Sequence, residues 1–213
     1  IYIEFKEPWL NPKGFEQIVY DVLANTQDMN IIEKPEPEDT PFYINNGTIN
    51  VGNTNGKVIL QTFSLESLVR VAEVFQGKVP MCFLLWKGTG ATDLTYDDPL
   101  GYASFINLGV KYKAHFIGPC IAGAPNDYPE LDQPWQDYLI HRAKMKNHPY
   151  TFDTYDQMAK YFGQYNFGVA DGMFNPPYLD ALFTNHSDMS INYMITHGWR
   201  KSPASQTLSL IHI

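Results

Sequence analysis

The chain has 213 residues, 44% of them hydrophobic and 15% aromatic, so it can bury a sizeable core and disorder is not the default. Its 15 Lys and Arg against 23 Asp and Glu give a net charge of −8, which argues against a nucleic-acid partner, whose binding needs clustered cations. No apolar run approaches the ~20 residues that span a bilayer, so no transmembrane segment is expected.

The first residues, Ile1–Trp9, have the pattern of a strand that Pro8 ends. Alternate residues of a strand point to opposite faces, so Glu4 and Lys6 share one face. By itself, this spacing most often gives a solvated surface ion pair. The remainder of the chain has to decide whether the pair is functional.

Helix and strand patterns alternate through the rest of the sequence. Helical spacing predicts a helix over 14–25, and the acidic, Pro-, Asn- and Gly-rich stretch 26–56 indicates a surface insertion. Further strands are predicted at 57–63, 80–86, 115–119, 147–152 and 180–185. Further helices are predicted at 65–76, 100–113, 128–145, 155–162 and 187–195.

Short strands that alternate with helices predict an α/β fold with a parallel sheet. Six such units, without a glycine-rich nucleotide-binding turn after the first strand, favour a TIM barrel over an open sheet. A barrel has eight strands and ~250 residues, so residues 1–199 are expected to form an incomplete barrel with about six of the eight βα units. Residues 200–213 lose the pattern and are expected to be a non-native tail.

Polar and aromatic residues near the predicted strand ends are the candidates for a site, because barrels place their sites at that rim. They are Glu4, Lys6, Gln61, Trp86, Tyr150 and Asn185. Gln61 as a strand-end cap, and Trp86 and Tyr150 as core aromatics, are equally good interpretations. Phe63 and Phe183 are expected in the core. Cys82 and Cys120 are expected to be buried free thiols.

Several motifs, in order along the chain, resemble the glycerophosphodiester phosphodiesterase family of bacterial periplasmic or secreted enzymes. They are Ile3-Glu4-Phe5-Lys6 with Pro8-Trp9, Leu60-Gln61-Thr62-Phe63 with Glu66-Ser67-Leu68, His148-Pro149-Tyr150-Thr151, and Leu182-Phe183-Thr184-Asn185 with Asp188. The resemblance implies a phospholipase-C-like phosphodiesterase TIM barrel. It also implies a role in lipid metabolism, namely metal-dependent hydrolysis of glycerophosphodiesters to an alcohol and glycerol phosphate.

The resemblance assigns roles to two residues. Glu4 matches the family's carboxylate ligand to a divalent metal, for which Ca²⁺ or Mg²⁺ is expected, and Lys6 matches the catalytic lysine near the substrate phosphate. An inward-facing Glu and Lys are costly unless an ion and a phosphate pair with them.

The sequence departs from the family in one respect. The family's His-Arg-Gly strand, Glu-x-Asp strand and His-Asp hairpin, which carry its acid and base histidines, precede the Glu-x-Lys strand and are not in this sequence. His115 and His148 fall at strand starts, where a structural role is expected. The chain is therefore expected to be an N-terminally truncated, inactive fragment.

Two alternatives stay open. One is a non-catalytic barrel that acts as a binding or scaffold protein. The other is a glycosidase-like barrel that uses Glu4 with a second carboxylate, although no strand end clearly offers one.

Overall fold

The computed structural model describes residues 1–26, 58–86, 96–165, 179–198 and 200. The predicted insertion at 26–56 and the predicted tail at 200–213 therefore lie, apart from Thr26 and Arg200, outside the described residues. The division of the chain into these regions stays a prediction.

Five strands form one parallel sheet, which confirms the predicted α/β class. They are β1 (Tyr2–Glu4), β2 (Ile59–Thr62), β3 (Met81–Leu85), β4 (Phe116–Pro119) and β5 (Lys146–Asn147). Each strand pairs in parallel with the next one along the chain, so the spatial order equals the sequence order. All five residues of the central strand β3 are buried, which explains its continuous apolar sequence.

Four of the described helices connect the strands, and two follow β5. They are α1 (Phe15–Ala24), α2 (Leu65–Phe75), α3 (Pro99–Lys111), α4 (Pro134–Arg142), α5 (Tyr155–Met158), which continues as a π-helix over Ala159–Gln164, and α6 (Ser187–Thr196). Helix α1 packs on α2, and α3 packs on α4. The Ser64 hydroxyl accepts a hydrogen bond from the Ser67 amide and so caps the N-terminus of α2.

The sheet is strongly curved. In a flat sheet β1 and β5 would lie roughly 19 Å apart, because neighbouring strands are about 4.8 Å apart. Yet the Tyr2 hydroxyl of β1 lies 2.5 Å from Nδ1 of His148, just after β5. The Tyr2 ring also packs edge-on against Phe183, with 4.6 Å between centroids. The described strand ladders run from β1 to β5 without joining these two edge strands.

The two faces of the sheet bury different sets of side chains. The concave inner face holds a small cluster of Cys82, Leu84 and Phe116, and a larger cluster lies between the outer face and the helices. Both cysteines are buried and free, as predicted. Glu4 and Gln61 are register partners, and strand alternation places their side chains on the same inner face as that small cluster.

Two predicted elements are corrected. The helix expected over 128–145 begins only at Pro134, because Pro129 and Pro134 disfavour helical conformation in the residues before them. Leu131 instead donates its amide to the Cys120 carbonyl at 3.1 Å.

The strand predicted at 180–185 is not regular. The amides of Asp180 and Ala181 donate to the Asn147 carbonyl, and the Phe183 amide donates to the Pro149 carbonyl. Pro149 has no N–H to extend the ladder of β5. The described sheet therefore has five strands rather than six, with 180–185 lying along β5 as an irregular segment.

Candidate functional site

Glu4 and Lys6 lie at the carboxyl end of β1. The Phe5 amide donates to the Gln61 carbonyl at 2.9 Å, and the Thr62 hydroxyl donates to the Phe5 carbonyl at 2.8 Å. These bonds fix the backbone between the two charged residues. Glu4 Oε2 lies 3.7 Å from Lys6 Nζ, with 22% of the Glu4 side chain and 71% of the Lys6 side chain exposed.

The charge of Glu4 is only partly compensated by Lys6. Burial raises the pKa of the Glu4 carboxyl, and the charge and hydrogen bond of Lys6 lower it without cancelling the effect of burial. The carboxylate therefore gains from any further cation or donor that reaches it.

A first cleft, termed here the inner cleft, has a volume of about 260 Å³. It lies between the ends of β1 and β2, the chain after β5 and the irregular segment 180–185. Its lining residues are Glu4, Gln61, Phe63, Leu84, Tyr150, Thr151, Phe183, Thr184 and Asn185. Four of the six candidate residues are therefore brought together: Glu4, Gln61, Tyr150 and Asn185.

A second cleft, termed here the outer cleft, has a volume of about 250 Å³. Its lining residues are Glu4, Phe5, Lys6, Glu7, Trp9, Phe63, Ser64 and Trp86. It contains the other two candidates, Lys6 and Trp86. Glu4 and Phe63 line both clefts, so the two adjoin at the end of β1.

Two side-chain donors of the inner cleft are already paired within the protein. The Tyr150 hydroxyl donates to the Leu85 carbonyl at 3.0 Å. Asn185 donates its side-chain amide to Asp153 Oδ2 at 2.9 Å. In contrast, Gln61 Oε1 is buried without a hydrogen-bond partner. Gln61 therefore adds an unpaired acceptor atom to the residues that line the inner cleft.

Phe63 and Phe183 were expected in the core; both are partly buried and line the inner cleft, and Phe63 also packs against the core cluster of Cys82, Leu84 and Phe116. The two-residue period of a strand could have indicated that both side chains face the cleft. Phe63 comes two residues after Gln61 and Phe183 two residues before Asn185, so each shares a face with a site candidate.

The buried histidines have structural surroundings, as predicted. Nδ1 of His115 accepts a hydrogen bond from the Met81 amide at 3.1 Å, and burial lowers the pKa of His115 to about 3. Burial also lowers the pKa of His148 to about 4. No histidine of the described residues lines either cleft.

The clefts offer oxygen ligands of the kind that a hard cation prefers. Glu4 supplies a carboxylate and Gln61 an amide oxygen, although the described residues contain no group of three or more His, Cys, Asp or Glu arranged around one ion. Mg²⁺ is commonly held by one or two carboxylates, with water and substrate phosphate as its other ligands. Glu4 and Gln61 would therefore supply two of the oxygen ligands of a hard cation such as Mg²⁺ or Ca²⁺.

Among the described helices, none is both long and apolar enough to cross a membrane.

No family model and no curated protein matches the chain. The solved structures that match include a crystal structure from Silicibacter pomeroyi DSS-3 of a protein assigned as a glycerophosphoryl diester phosphodiesterase. The two are 11% identical with a TM-score of 0.45, and the match covers 68% of this chain and 40% of that chain. The chain thus spans less than half the length of that protein, and the match carries no argument about function.

Proposed function

We propose that the two clefts belong to the active site of a metal-dependent phosphodiesterase, which hydrolyses glycerophosphodiesters to an alcohol and glycerol phosphate. The observation that carries the proposal is the convergence of all six candidate residues on two adjoining clefts at the carboxyl edge of a parallel sheet. The motifs that resemble the phosphodiesterase family support the choice of chemistry.

The proposal also covers the fold type and the cellular location. In this proposal the sheet is part of a TIM barrel of the phospholipase-C-like phosphodiesterase type, and its curvature and sequential strand order support that choice. The substrate would be a small-molecule glycerophosphodiester, met in the periplasm or outside a bacterial cell.

Lys6 and Glu4 have separate tasks in this proposal. Lys6, a flexible and exposed point charge in the outer cleft, binds the substrate phosphate. Glu4 and Gln61 would hold a divalent cation, Mg²⁺ or Ca²⁺, through their side-chain oxygens. When bound, that cation would stabilise negative charge on the phosphoryl oxygens.

One observation favours a second candidate, a non-catalytic binding protein. Hydrolysis needs a group that moves protons, and no described histidine lines either cleft. Among the described residues, the clefts thus offer groups that could bind a phosphodiester but no histidine as general acid or base. The phosphodiesterase and the binding protein would bind the same ligand, but only the phosphodiesterase would hydrolyse it.

Calorimetric titration of the 213-residue chain with glycerophosphocholine and Mg²⁺ tests the binding that both candidates require. Lys6→Ala is expected to weaken binding about tenfold, since a charge-assisted hydrogen bond of ~1.4 kcal/mol is lost. Lys13→Ala, an exposed lysine outside both clefts, is the matched control and should bind as the wild type does. Equal binding by the two variants would contradict the role of Lys6.

Release of glycerol phosphate separates the enzyme from the binding protein. A protein that carries the family's histidine segments ahead of Ile1 is expected to release it, and Glu4→Gln should abolish that release while leaving the fold intact. Binding without turnover in such a protein would favour the second candidate. Unchanged turnover in Glu4→Gln would eliminate the metal role of Glu4.

A further inference from the structure

The loop after β1, residues 5–11 and termed here the β1 loop, carries Lys6 and Trp9 of the outer cleft. Its first four backbone carbonyls, those of residues 5–8, each accept a hydrogen bond. The donors are the Thr62 hydroxyl to Phe5 at 2.8 Å, the Asn11 side-chain amide to Lys6 at 2.7 Å, the Leu10 amide to Glu7 at 2.8 Å and the Asn11 amide to Pro8 at 3.3 Å. A loop whose consecutive carbonyls are all paired within the protein is held in one conformation.

Glu7 shows that this conformation is imposed on the loop. Its φ of 46° lies in the left-handed region, which is unfavourable for a residue with a side chain. The residue that follows is Pro8, which favours an extended conformation at Glu7 instead. Backbone of this kind persists only where the surrounding structure over-determines it, and it clusters at functional sites. The hydrogen bonds of the β1 loop therefore hold a conformation that the local sequence disfavours.

Two side chains supply the hydrogen bonds on either side of the Lys6 backbone. Thr62 is fully buried, and its hydroxyl, which donates to the Phe5 carbonyl, also accepts from the Ser64 amide at 3.1 Å. Asn11 reaches back across the loop to the carbonyl of Lys6 itself. Neither Thr62 nor Asn11 is among the residues that line the two clefts. An effect of either side chain on a ligand in the clefts would therefore pass through the β1 loop.

Arg70 of α2 fixes the β1 loop to two helices. Its Nη1 donates to the Pro8 carbonyl at 3.4 Å and lies 3.8 Å from Oε1 of Glu16, a buried residue of α1. The Lys6 side chain, in contrast, is 71% exposed. A lysine ammonium sits on a long flexible stem, so the position of its backbone decides which atoms it can reach. A fixed loop therefore defines where the Lys6 ammonium can bind.

We propose that Thr62 and Asn11 are positioning residues, which fix the backbone on either side of Lys6 and so hold its ammonium at the outer cleft beside Glu4. A ligand that binds Lys6 then meets a loop that is already ordered, and less affinity is lost to ordering it. This part rests on the proposed function for the identity of the ligand, a phosphodiester. It gives a role in binding to two residues that touch no ligand themselves.

Calorimetric titration of the 213-residue chain with glycerophosphocholine and Mg²⁺ tests the role of Thr62. Thr62→Val removes the hydroxyl and keeps the shape, and it is expected to weaken binding about fivefold, less than Lys6→Ala does. Thr62→Ser keeps the hydroxyl and should bind within about twofold of the wild type. Wild-type affinity in Thr62→Val would overturn the role of Thr62. Equally weak binding by Thr62→Ser and Thr62→Val would also overturn it, because packing rather than the hydrogen bond would then be responsible.

The role of Asn11 has a closely matched control. Asn11→Ala is expected to weaken binding of glycerophosphocholine about threefold. The Asn25 side-chain amide also donates to a backbone carbonyl at 2.7 Å, that of Asp21, but it lies at the end of α1 and outside both clefts. Asn25→Ala should therefore bind as the wild type does. Equal affinity of Asn11→Ala and Asn25→Ala would overturn the role of Asn11.

A double-mutant cycle separates positioning of Lys6 from a general structural effect. If Thr62 acts through Lys6, Thr62→Val should change the affinity little in a chain that already carries Lys6→Ala. A purely structural role would weaken binding by the same factor with and without Lys6. That second result would overturn the proposal.

Backbone order, measured by ¹⁵N relaxation without ligand, keeps the outcome separate from that of the proposed function. The order parameters of the Lys6 and Glu7 amides are expected to fall from about 0.85 to about 0.6 in Thr62→Val and Asn11→Ala. Unchanged order in both variants would overturn the positioning, whatever the chain binds. If the order falls and the wild type does not bind glycerophosphocholine, the positioning of Lys6 stands and the phosphodiesterase proposal falls. If Lys6→Ala weakens binding and both variants bind as the wild type does, the positioning falls alone.

Discussion

Gly118 occupies a position on the inner face of β4 where no larger residue fits. A Cβ atom built there would lie 2.7 Å from Leu84 Cδ2, 2.9 Å from Cys82 Sγ and 3.1 Å from the His148 carbonyl oxygen. Side chains on the concave face of a curved sheet crowd one another, and the interior is closely packed. The missing side chain thus allows β3 and the chain after β5 to approach each other close to the inner cleft.

Gly118→Ala is expected to lower the free energy of unfolding by about 1–3 kcal/mol, because the new methyl group overpacks the inner face. The matched control is Gly163→Ala in the π-helix, where the nearest atom to a new Cβ is the Tyr193 hydroxyl at 3.6 Å. That control should be neutral or stabilising by up to ~1 kcal/mol, since Ala favours a helix more than Gly does. Urea denaturation measures the free energy of unfolding of both variants. An equal change in Gly118→Ala and Gly163→Ala would contradict crowding at Gly118.

Helix α3 shows how local sequence fixes the start of an element. Pro99 is its first residue, a position where the missing N–H costs no helical hydrogen bond. The Asp98 carboxylate accepts hydrogen bonds from the amides of Leu100 and Gly101, both at 2.9 Å. These two amides would otherwise be unpaired at the helix N-terminus, so Asp98 stabilises the first turn.

Asp98→Ala is therefore expected to lower the free energy of unfolding by about 1 kcal/mol, the usual effect of losing an N-cap. Asp97→Ala is the matched control, because it removes the same charge from the neighbouring exposed position outside the cap. Thermal unfolding of the two variants measures the difference. Identical melting temperatures would show that the cap contributes nothing.

At the scale of the whole molecule, a buried charged cluster joins three parts of the chain. His141 in α4 donates from Nδ1 to Asp137 at 3.0 Å and from Nε2 to Asp180 at 2.8 Å. Asp180 also accepts from the Asn147 amide of β5 at 2.8 Å and pairs with Lys146 at 3.6 Å. Asp180 begins the segment that carries Phe183 and Asn185 to the inner cleft. The cluster therefore holds one wall of that cleft against the sheet.

The charge of His141 should make the stability that this cluster contributes dependent on pH. Burial alone would lower the pKa of His141, but hydrogen bonds to Asp137 and Asp180 and their charges outweigh it and raise the pKa to about 10. Since this pKa lies above the ordinary value of ~6.5, the stabilisation is complete below that value and is lost as the pH rises through about 10.

His141→Gln is expected to lower the free energy of unfolding by about 2 kcal/mol at pH 7, because charge-assisted hydrogen bonds in a partly buried cluster are lost. The difference from the wild type should shrink by pH 10.5. His186→Gln, an exposed histidine, is the control and should show a small difference at both values. Urea denaturation at the two pH values measures the free energies of unfolding. If the difference between His141→Gln and the wild type did not depend on pH, His141 would not be charged.

Most of the regular structure and the position of the site could be predicted from local signals. Strand period 2 placed Glu4 and Lys6 on one face, and Glu4 Oε2 lies 3.7 Å from Lys6 Nζ. The prediction of secondary structure failed where residues distant in the chain but close in space determine the conformation. The segment 180–185 has a strand-like sequence, yet its backbone makes only irregular hydrogen bonds to β5 and the chain after it, and the Asp180 carboxylate accepts from the Asn147 amide and from His141.

The sequence by itself determined the alternation of strands and helices, the parallel sheet and the edge at which the candidate residues lie, because these follow from residue period and chain direction. Only the tertiary structure decided that Glu4 lines two clefts, that Phe63 and Phe183 line the inner one, and that His141 bridges two carboxylates. Those facts depend on the curvature of the sheet, which brings residues far apart in the chain within a few ångströms. No local period of the sequence encodes that curvature.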